Sequence, residues 1–358
     1  MKKLIQSLLK RAPIKYGKPL SIIFLTLLFA LVSCGPNEEP GITSSSEAMS
    51  RPFNMPGAPQ LLASLPSGAM GSAIGPDGDL YVTQSGMGGS ILRVDKKTGE
   101  VSTYASGLPT SPVPIGGVID VVFMDETAYA LVTLVAPLEF FGTNYLNGIY
   151  RIDGPSSYTV IADIGQFALD NQPSGFDYFI PTGLQYAIQT YRGGFLVTDG
   201  HHNRVYHVTL DGEVSEFKTF DNIVPTGLDV SGNTVYITEA GTSDQAHENS
   251  KVVSIDSKSL DVSDVASGAP LMVDVEFNRG RTLFAISQGS WAGEMDGDAA
   301  EPNTGSLARV NGDGTLSTIA DGLDRPTSLE FIQNTAYIVT LTGEVWTVDN
   351  VAGSPFGM

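Results

Sequence analysis

A strand-like segment of one type recurs six times along this chain of 358 residues. Each copy is apolar and ends in a hydroxyl residue, and repeats of roughly 40 to 50 residues are typical of folds in which each unit is a small sheet. The repeat restricts the possible folds more than any other feature of the chain. The six end residues are Thr83, Thr133, Thr198, Thr238, Ser287 and Thr340, spaced by 50, 65, 40, 49 and 53 residues.

Each repeat contains further candidate strands around the recurring one. An apolar segment precedes it, entered through a loop marked by Pro or Gly, as at 225–228. A second alternating segment follows, and a tight turn such as Asp211-Gly212 then leads to an outer strand, since Gly accepts the positive φ of hairpin turns. The second segments are ILRVD (91–95), IYRID (149–153), VYHVT (205–209), VVSID (252–256), LARVN (307–311) and VWTVD (345–349).

Six units of four strands predict an all-β fold, a six-bladed β-propeller of four-stranded blades. The last unit lacks an outer strand after Val348, and the segment 60–64 near the start can supply it. Pairing of the N- and C-terminal strands would close the ring and leave no exposed sheet edge between the first and last blades. The alternative is a β-sandwich or two smaller β domains, whereas an α/β fold is disfavoured because no long amphipathic helix pattern occurs.

The N-terminal region has the pattern of a secretory signal. Residues 1–19 contain six basic residues and no acid, and an apolar run over 20–32 follows, too short for a membrane span of about 20 residues. Leu31-Val-Ser-Cys34 resembles a bacterial lipobox, which implies lipidation at Cys34, the one cysteine of the chain. The alternative is a plain signal peptide or membrane anchor. We expect a signal peptide over 1–33, a flexible tether over 34–59, the propeller over 60–351 and a tail over 352–358.

This organisation predicts a secreted protein of the cell envelope, lipid-anchored on the periplasmic side or at the outer membrane or cell surface. The membrane would be contacted through the N-terminal lipid only. A net charge of −19, from 20 Lys+Arg and 39 Asp+Glu, argues against nucleic acid as a partner, because a phosphate-binding surface needs an excess of basic residues. The expected partner is a small molecule, a glycan or a protein.

Three stretches of the chain carry a family resemblance. They are 74–109 (IGPDGDLYVTQSG and the following hairpin), 224–241 (VPTGLDVSGNTVYITEAG) and 305–329 (GSLARVNGDGTLSTIADGLDRPTSL). These stretches resemble the ScyD/ScyE family of secreted propellers, within the wider group of NHL and gluconolactonase-like six-bladed propellers. The resemblance implies the fold and secretion, and it implies no particular reaction, because one fold hosts many activities.

One residue follows each of the six recurring strands, and in six-bladed relatives this position faces the central channel. Long insertions at 134–148, 239–251 and 288–305 leave the same ends of the strands and would lie on one face. The four polar members are therefore predicted to bind a ligand at the channel mouth, with two leucines as the apolar part. The six residues are Gln84, Leu134, Asp199, Glu239, Gln288 and Leu341.

Asp199 and Glu239 come from adjacent blades, and two close carboxylates bind a cation or share a proton. The resemblance to gluconolactonases implies Ca²⁺ held by a Glu, an Asp and two Asn, of which Glu239 and Asp199 match the first two and no Asn pair matches. The other interpretation is that each acid caps a loop or pairs with Arg204 or a backbone amide. His201 and His202, after Asp199, are candidates for proton transfer.

Three functions therefore stay open from the sequence. The first is a ligand-binding propeller that requires no cofactor and no catalytic residues. The second is a Ca²⁺-dependent lactonase or hydrolase of the gluconolactonase type, with the metal at Asp199 and Glu239. The third is a structural protein of the cell envelope, which would have an occluded channel and no cavity of ligand size. The chain contains no Gly-x-Ser-x-Gly and no His-Glu-x-x-His motif that would decide for a hydrolase.

Overall fold

A ring of six sheets, each of four antiparallel strands, forms the part of the chain that the computed structural model describes: residues 55–175, 178–242, 247–293 and 298–351. The chain is a six-bladed β-propeller, as the repeat predicts. Cys34, the predicted signal peptide, most of the predicted tether and the predicted tail lie outside the described residues.

In blades one to five the strands run in chain order from the channel outward, and in blade six the outer strand comes from the start of the described chain. Blade one contains β2 (Ser72–Ile74), β3 (Leu80–Gln84), β4 (Ser90–Val94) and β5 (Val101–Ser106). Blade two contains β6 (Gly117–Met124), β7 (Thr127–Thr133), β8 (Gly148–Gly154) and β9 (Ser157–Asp163). Blade three contains β10 (Gln185–Tyr191), β11 (Gly194–Asp199), β12 (Arg204–Thr209) and β13 (Val214–Thr219).

The second half of the ring repeats this order. Blade four contains β14 (Pro225–Ser231), β15 (Thr234–Glu239), β16 (Lys251–Asp256) and β17 (Val262–Ser267). Blade five contains β18 (Met272–Phe277), β19 (Leu283–Ser287), β20 (Gly305–Val310) and β21 (Leu316–Leu323). Blade six contains β22 (Pro326–Ile332), β23 (Thr335–Thr340), β24 (Glu344–Val348) and, as its outer strand, β1 (Gln60–Ser64).

The pairing of β1 with β24 closes the ring. Gln60 lies opposite Thr347 and Ser64 opposite Glu344 in an antiparallel register, and the Leu65 N–H donates to the carbonyl of Gly343 at 2.7 Å. The sixth blade is therefore shared by both ends of the described chain, and the predicted closure is confirmed.

Some of the recurring hydroxyl residues connect neighbouring blades. Thr83 Oγ1 accepts the Gly71 N–H at 3.0 Å within blade one and lies 3.0 Å from the carbonyl of Ile119 in blade two, to which it donates. Thr198 donates in the same way to the carbonyl of Thr226 in blade four, at 2.7 Å. Thr340, by contrast, bonds Thr342 and the Glu344 N–H within its own blade. In each case the buried hydroxyl has a polar partner at the end of the second strand.

Two acidic side chains of the inner strands join blades across the channel wall. Asp120 accepts N–H groups from Val121 and from Ile188 of blade three, both at 2.8 Å. Asp274 accepts from Val275 at 2.9 Å and from Leu329 of blade six at 2.8 Å. Each carboxylate sits at a shift in the strand register, so that it replaces backbone pairing lost at a β-bulge.

Each of these carboxylates also needs a glycine on the preceding blade. A Cβ added to Gly71 would lie 2.1 Å from Asp120 Oδ1, and one added to Gly227 would lie 2.2 Å from Asp274 Oδ1. Asp120 and Asp274 therefore each contact three consecutive blades, and only glycine leaves room for them.

The apolar core lies between the faces of neighbouring sheets, where second-strand residues such as Leu80, Phe195 and Phe284 are fully buried. Short helices α1 (Leu138–Phe141) and α2 (Ile164–Asp170) lie outside the sheets, in the insertion of blade two and in the connection to blade three. The sequence pattern missed both, because neither is long enough to show a helical period. Among the described residues, no helix has the length and apolar character needed to cross a membrane.

Candidate functional site

A cavity of about 470 Å³ opens at the end of blade four, on the face where the long insertions emerge. We call it the blade-four pocket. Its volume falls within the range of roughly 300–1,000 Å³ typical of small-molecule sites. It is lined by Ile223, Glu239, Gly241, Thr242, Glu248, Ser250, Lys251, Ser267 and Gly268.

Three paired strands position the lining residues. Glu239 is the last residue of β15 and lies opposite Lys251, the first residue of β16, which in turn lies opposite Ser267 at the end of β17. Ser250 fixes the returning chain, because its Oγ donates to the Glu239 carbonyl at 2.6 Å and accepts the Met272 N–H at 2.7 Å. The pocket is thus built on strand ends whose positions the sheet holds.

Glu239 forms the floor of the pocket, with 2% of the residue exposed. Its Oε2 has no hydrogen-bond donor among the described residues, and the nearest cation, Lys251 Nζ, is 3.9 Å away. Lys251 donates instead to Asp264 Oδ1 at 2.6 Å. Burial raises the pKa of Glu239 to about 7, while Lys251 opposes the rise.

This arrangement suits either ligand binding or proton transfer. A buried carboxylate without a donor is unfavourable, so a ligand that supplies an N–H or O–H gains affinity at Oε2. A carboxyl whose pKa is near 7 also exchanges its proton at neutral pH, as a general base must. Glu239 was predicted from its place after the recurring strand. Its unpaired oxygen and raised pKa make it the side chain of this pocket best suited to bind a ligand or transfer a proton.

Asp199 has a different environment. It is fully buried, and its Oδ1 accepts the N–H groups of Leu184 and His202, both at 3.0 Å. Its Oδ2 accepts from Gln185 Nε2 at 3.1 Å and from the Tyr206 hydroxyl at 2.8 Å. Four donors occupy the carboxylate, as the loop-capping interpretation expects, which assigns Asp199 a structural role in blade three.

His201 and His202 hold the connection between α2 and β10. His201 Nε2 accepts the N–H groups of Phe179 and Ile180, both at 3.0 Å, and burial lowers the pKa of His201 to about 4. His202 is fully buried, with Nε2 3.0 Å from the Ile180 carbonyl and Nδ1 3.1 Å from an Arg204 nitrogen. Since these ring nitrogens have protein partners, a catalytic role for either histidine stays a prediction that the contacts do not favour.

The other residues that directly follow a recurring strand also have partners within the protein. Gln84 donates to Ser67 Oγ and accepts from Ser90 Oγ, both at 2.6 Å. Gln288 Oε1 accepts the Ala300 N–H at 3.0 Å and so fixes the insertion of blade five. Leu134 is buried, and Leu341 packs partly buried against the apolar cluster of blades two and three. Of the four predicted polar ligand residues, Gln84, Asp199 and Gln288 thus have hydrogen-bond partners within the protein, and Glu239 lines the blade-four pocket.

The calcium site implied by gluconolactonases does not fit the residues at these positions. The described residues contain no group of three or more His, Cys, Asp or Glu side chains arranged to hold a metal ion. Every oxygen of Asp199 already accepts hydrogen bonds, and Glu239 faces the blade-four pocket. We therefore derive no chemistry from a metal shared by Asp199 and Glu239.

The central channel contains acidic residues that the sequence analysis did not select. Their signal is an acid at alternate positions of an apolar inner strand, as in VDVEF at 273–277. The cavity between Asp120, Tyr186 and Asp274 measures about 20 Å³, room for about one water molecule. The inner-strand acids are Asp120, Asp229, Asp274, Glu276 and Glu330.

Glu248 and Lys251 were also missed, although both flank the end of a long insertion. Their importance depends on the β15–β16 pairing, which brings Lys251 beside Glu239 across twelve residues of chain.

Comparison with known proteins gives the fold. A gluconolactonase of Xanthomonas campestris superposes with a TM-score of 0.57 at 14% identity, over 81% of this chain and 89% of the other. A PQQ-bound aldose sugar dehydrogenase of Streptomyces coelicolor gives 0.53 at 15%, over 82% and 98%. Virginiamycin B lyase of Staphylococcus aureus with quinupristin gives 0.52 at 13%, over 81% and 98%.

No protein-family model matches the chain, and no curated protein matches it. The resemblance to the ScyD/ScyE family therefore stays a prediction. At 12–15% identity, the likeness to gluconolactonase, lyase and dehydrogenase propellers establishes the architecture and leaves the chemistry to the residues of this chain.

Proposed function

We propose that this propeller binds a small polar molecule in the blade-four pocket, with Glu239 as the anchoring group. The buried Glu239 Oε2 without a donor, at the floor of a cavity of about 470 Å³, is the observation that supports the proposal. A cavity of this size also argues against a purely structural envelope protein. The binding site would lie at the blade-four end of the loop-bearing face, since the cavity between Asp120, Tyr186 and Asp274 has room for about one water molecule.

A screen of purified mature protein against neutral glycans, lactones and amines would test the proposal by thermal shift and ligand-observed NMR. We expect at least one class to bind, and Glu239→Gln to weaken that binding by tenfold or more, because the anchoring charge is lost. Glu213→Gln, an exposed change on blade three, is the control and should bind as the wild type does. Equal binding by wild type and Glu239→Gln would contradict the proposal.

Lactone hydrolysis is a second candidate, favoured by the pKa of Glu239 near 7. Ionised Glu239 would take a proton from water as the water oxygen attacks the lactone carbonyl. The ring C–O bond would then break to give the hydroxy acid. The rate of hydrolysis should fall below about pH 7, as Glu239 becomes protonated, and should be lost in Glu239→Gln. A pH-independent rate in the wild type would exclude Glu239 as the base.

The same proposal places the protein in the cell envelope. A lipid on Cys34 would anchor the protein in the envelope, with residues 35–59 as a tether. Cys34→Ser should then give an unlipidated precursor that fractionates away from the membrane, as immunoblotting of membrane fractions would show. Normal membrane anchoring of that variant would contradict lipidation at Cys34.

A further inference from the structure

We infer that the group recognised in the blade-four pocket is an organic cation, an ammonium or guanidinium that donates to Glu239 Oε2. This inference rests on the proposed function and specifies the chemical class of the ligand. The occupant would be a small amine or guanidine compound, held with its charged end on the pocket floor.

Glu239 Oε2 is a hydrogen-bond acceptor that no described residue uses. Glu239 is almost fully buried, and its Oε2 has no donor among the described residues. A buried carboxylate needs both a compensating charge and a hydrogen-bond donor. Lys251 supplies a weak ion pair at 3.9 Å but no hydrogen bond, and its Nζ donates to Asp264 instead. An ammonium or guanidinium group supplies both, through charge-assisted N–H bonds that are about twice as strong as neutral ones.

The lining of the blade-four pocket carries more negative than positive charge. Lys251 carries the one positive charge among the described lining residues, and Asp264 already binds its Nζ at 2.6 Å. Glu248, exposed at the rim, adds a second carboxylate beside Glu239. An anionic ligand would meet this negative excess without a free cation to bind it, whereas a cationic ligand would be attracted.

Small residues line part of the blade-four pocket. Gly241, Ser267 and Gly268 leave the sides of the pocket open, and Ile223 offers one apolar contact for the carbon skeleton of a ligand. Gly241 and Gly268 have φ values of 106° and 122°, which only glycine adopts readily, so that side chains are kept out of this space. These residues leave room in the pocket for a small molecule.

Binding of a cation at Glu239 should also release a proton, which can be measured apart from the affinity. The charged groups that act on Glu239 are Lys251 on β16 and Asp264 on β17, and Glu248 lines the same pocket at its rim. A cation stabilises ionised Glu239, whose pKa is about 7 in the free protein, so that binding releases a proton. The affinity should therefore be about tenfold higher at pH 8 than at pH 6, the ratio of the ionised fractions.

Three probes that share one ring and differ in charge would test the inference. They are methyl 6-amino-6-deoxyglucoside, methyl glucoside and methyl glucuronide, titrated into purified mature protein by calorimetry at pH 6 and pH 8. We expect the amine to bind at least tenfold more tightly than the neutral glycoside, with proton release, and the glucuronide to bind most weakly. Glu239→Gln should remove the preference for the amine and its pH dependence.

Each alternative outcome is distinct. Equal binding of the amine and the neutral glycoside, with both weakened by Glu239→Gln, would overturn the cation inference and leave the proposed pocket function in place. No binding of the amine, or tighter binding of the glucuronide, would also overturn it. A rise in Tm with Ca²⁺ alone that disappears in Glu239→Gln would overturn it in favour of a metal ion. Glu213→Gln serves as the control in every titration.

Discussion

The buried carboxylates of this propeller divide into two kinds according to their partners. Asp120, Asp199 and Asp274 accept hydrogen bonds on both oxygens and hold the backbone in place. Glu239 is equally buried but has an oxygen without a donor. An acid that the protein has already satisfied is structural, whereas one that it leaves unsatisfied is available to a ligand.

Asp274→Leu should destabilise the propeller, because an apolar side chain accepts neither of the two N–H groups that the carboxyl group accepts. Leaving a buried N–H of Val275 or Leu329 without an acceptor costs about 1–3 kcal/mol. Urea unfolding at pH 5, where Asp274 is uncharged and the loss of its charge has no effect, would measure the difference. Asp261→Leu, an exposed change on blade four, is the matched control. Equal stability of the two variants would show that the contacts to the neighbouring blades contribute nothing.

Glu239→Gln should have the opposite effect on stability, provided that no ligand is bound. The folded pKa of about 7 exceeds the ordinary 4.5, so the stability supplied by protonated Glu239 is present below pH 4.5 and lost as the pH rises through 7. Gln resembles the protonated form, and the variant should be up to about 3 kcal/mol more stable at pH 8 and unchanged at pH 4. Denaturation curves at both pH values would show whether the gain is confined to high pH.

His201→Phe should loosen the loop before β10. The ring of Phe can still stack on Phe179, but it offers no acceptor to the N–H groups of Phe179 and Ile180. Each lost hydrogen bond is worth about 1 kcal/mol, so exchange of these two amides should accelerate roughly five- to tenfold. Hydrogen-exchange NMR measures this directly, with His207→Phe on the same blade as the control. Unchanged exchange would mean that the loop is held by other contacts.

The sequence predicted the position of the site residues better than their roles. Asp199 and Glu239 follow equivalent strands and were indistinguishable there. Their difference depends on Gln185 and Tyr206, which approach Asp199 only in the folded blade, and on Lys251, which reaches the vicinity of Glu239 through strand pairing. Local sequence contains no information on such partners.

At the level of elements, the strands follow from the sequence and the connections do not. Every second strand was visible because its apolar run ends in a hydroxyl residue, which in Thr83 and Thr198 also bonds the next blade. The first strand of blade one spans only three residues, Ser72–Ile74. The seven residues of α2 were missed because its buried side, with Ile164 and Ala168, covers too few positions to form a pattern.

Closure by β1 is the element whose removal should matter most. A chain that starts after Ser64 would leave β24 as an open edge, with the backbone groups opposite Gln60 and Leu61 unpaired. We expect Tm to fall by 5 °C or more and the truncated protein to associate, as calorimetry and light scattering would show. The control starts at Met55 and keeps β1. Equal Tm values and monomeric behaviour in both chains would contradict a stabilising role for the closure.

At the scale of the whole molecule, the channel sets the response to pH. The inner strands carry five acids, and the small cavity between Asp120 and Asp274 has no basic side chain among its described lining. Burial raises the pKa of Asp274 to about 7 and that of Asp120 well above its usual range. Burial also raises the pKa values of Glu276 and Glu330, and nearby carboxylates add to the rise: Asp229 and Glu330 for Glu276, and Asp274 and Asp229 for Glu330. The folded ring therefore holds protons that the unfolded chain releases.

The sign of the resulting pH dependence follows from these shifts. Stability that depends on protonated Asp274 is complete below its ordinary pKa of 3.8 and is lost as the pH rises through 7. Backbone N–H donors lower the pKa of surface acids such as Asp95 and Asp256. Their contribution to folding stability is lost only when the pH falls below their ordinary pKa of 3.8. His201 acts in the opposite direction, because burial lowers its pKa to about 4 and the unfolded chain gains protons over the folded one below pH 6.5. The propeller should therefore be most stable near pH 6 and weaken toward pH 8, by about 1 kcal/mol or more.

Glu276→Gln and Glu330→Gln would assign this slope to the channel. Each amide resembles the protonated acid and cannot ionise, so each variant should be about 2 kcal/mol or more stable than wild type at pH 8 and similar to it at pH 5. Thermal and urea unfolding from pH 4 to pH 8 would give the slopes, with Glu213→Gln as the control. If the two variants keep the wild-type slope, the channel acids are already ionised and solvated, and the pH dependence must arise elsewhere in the ring.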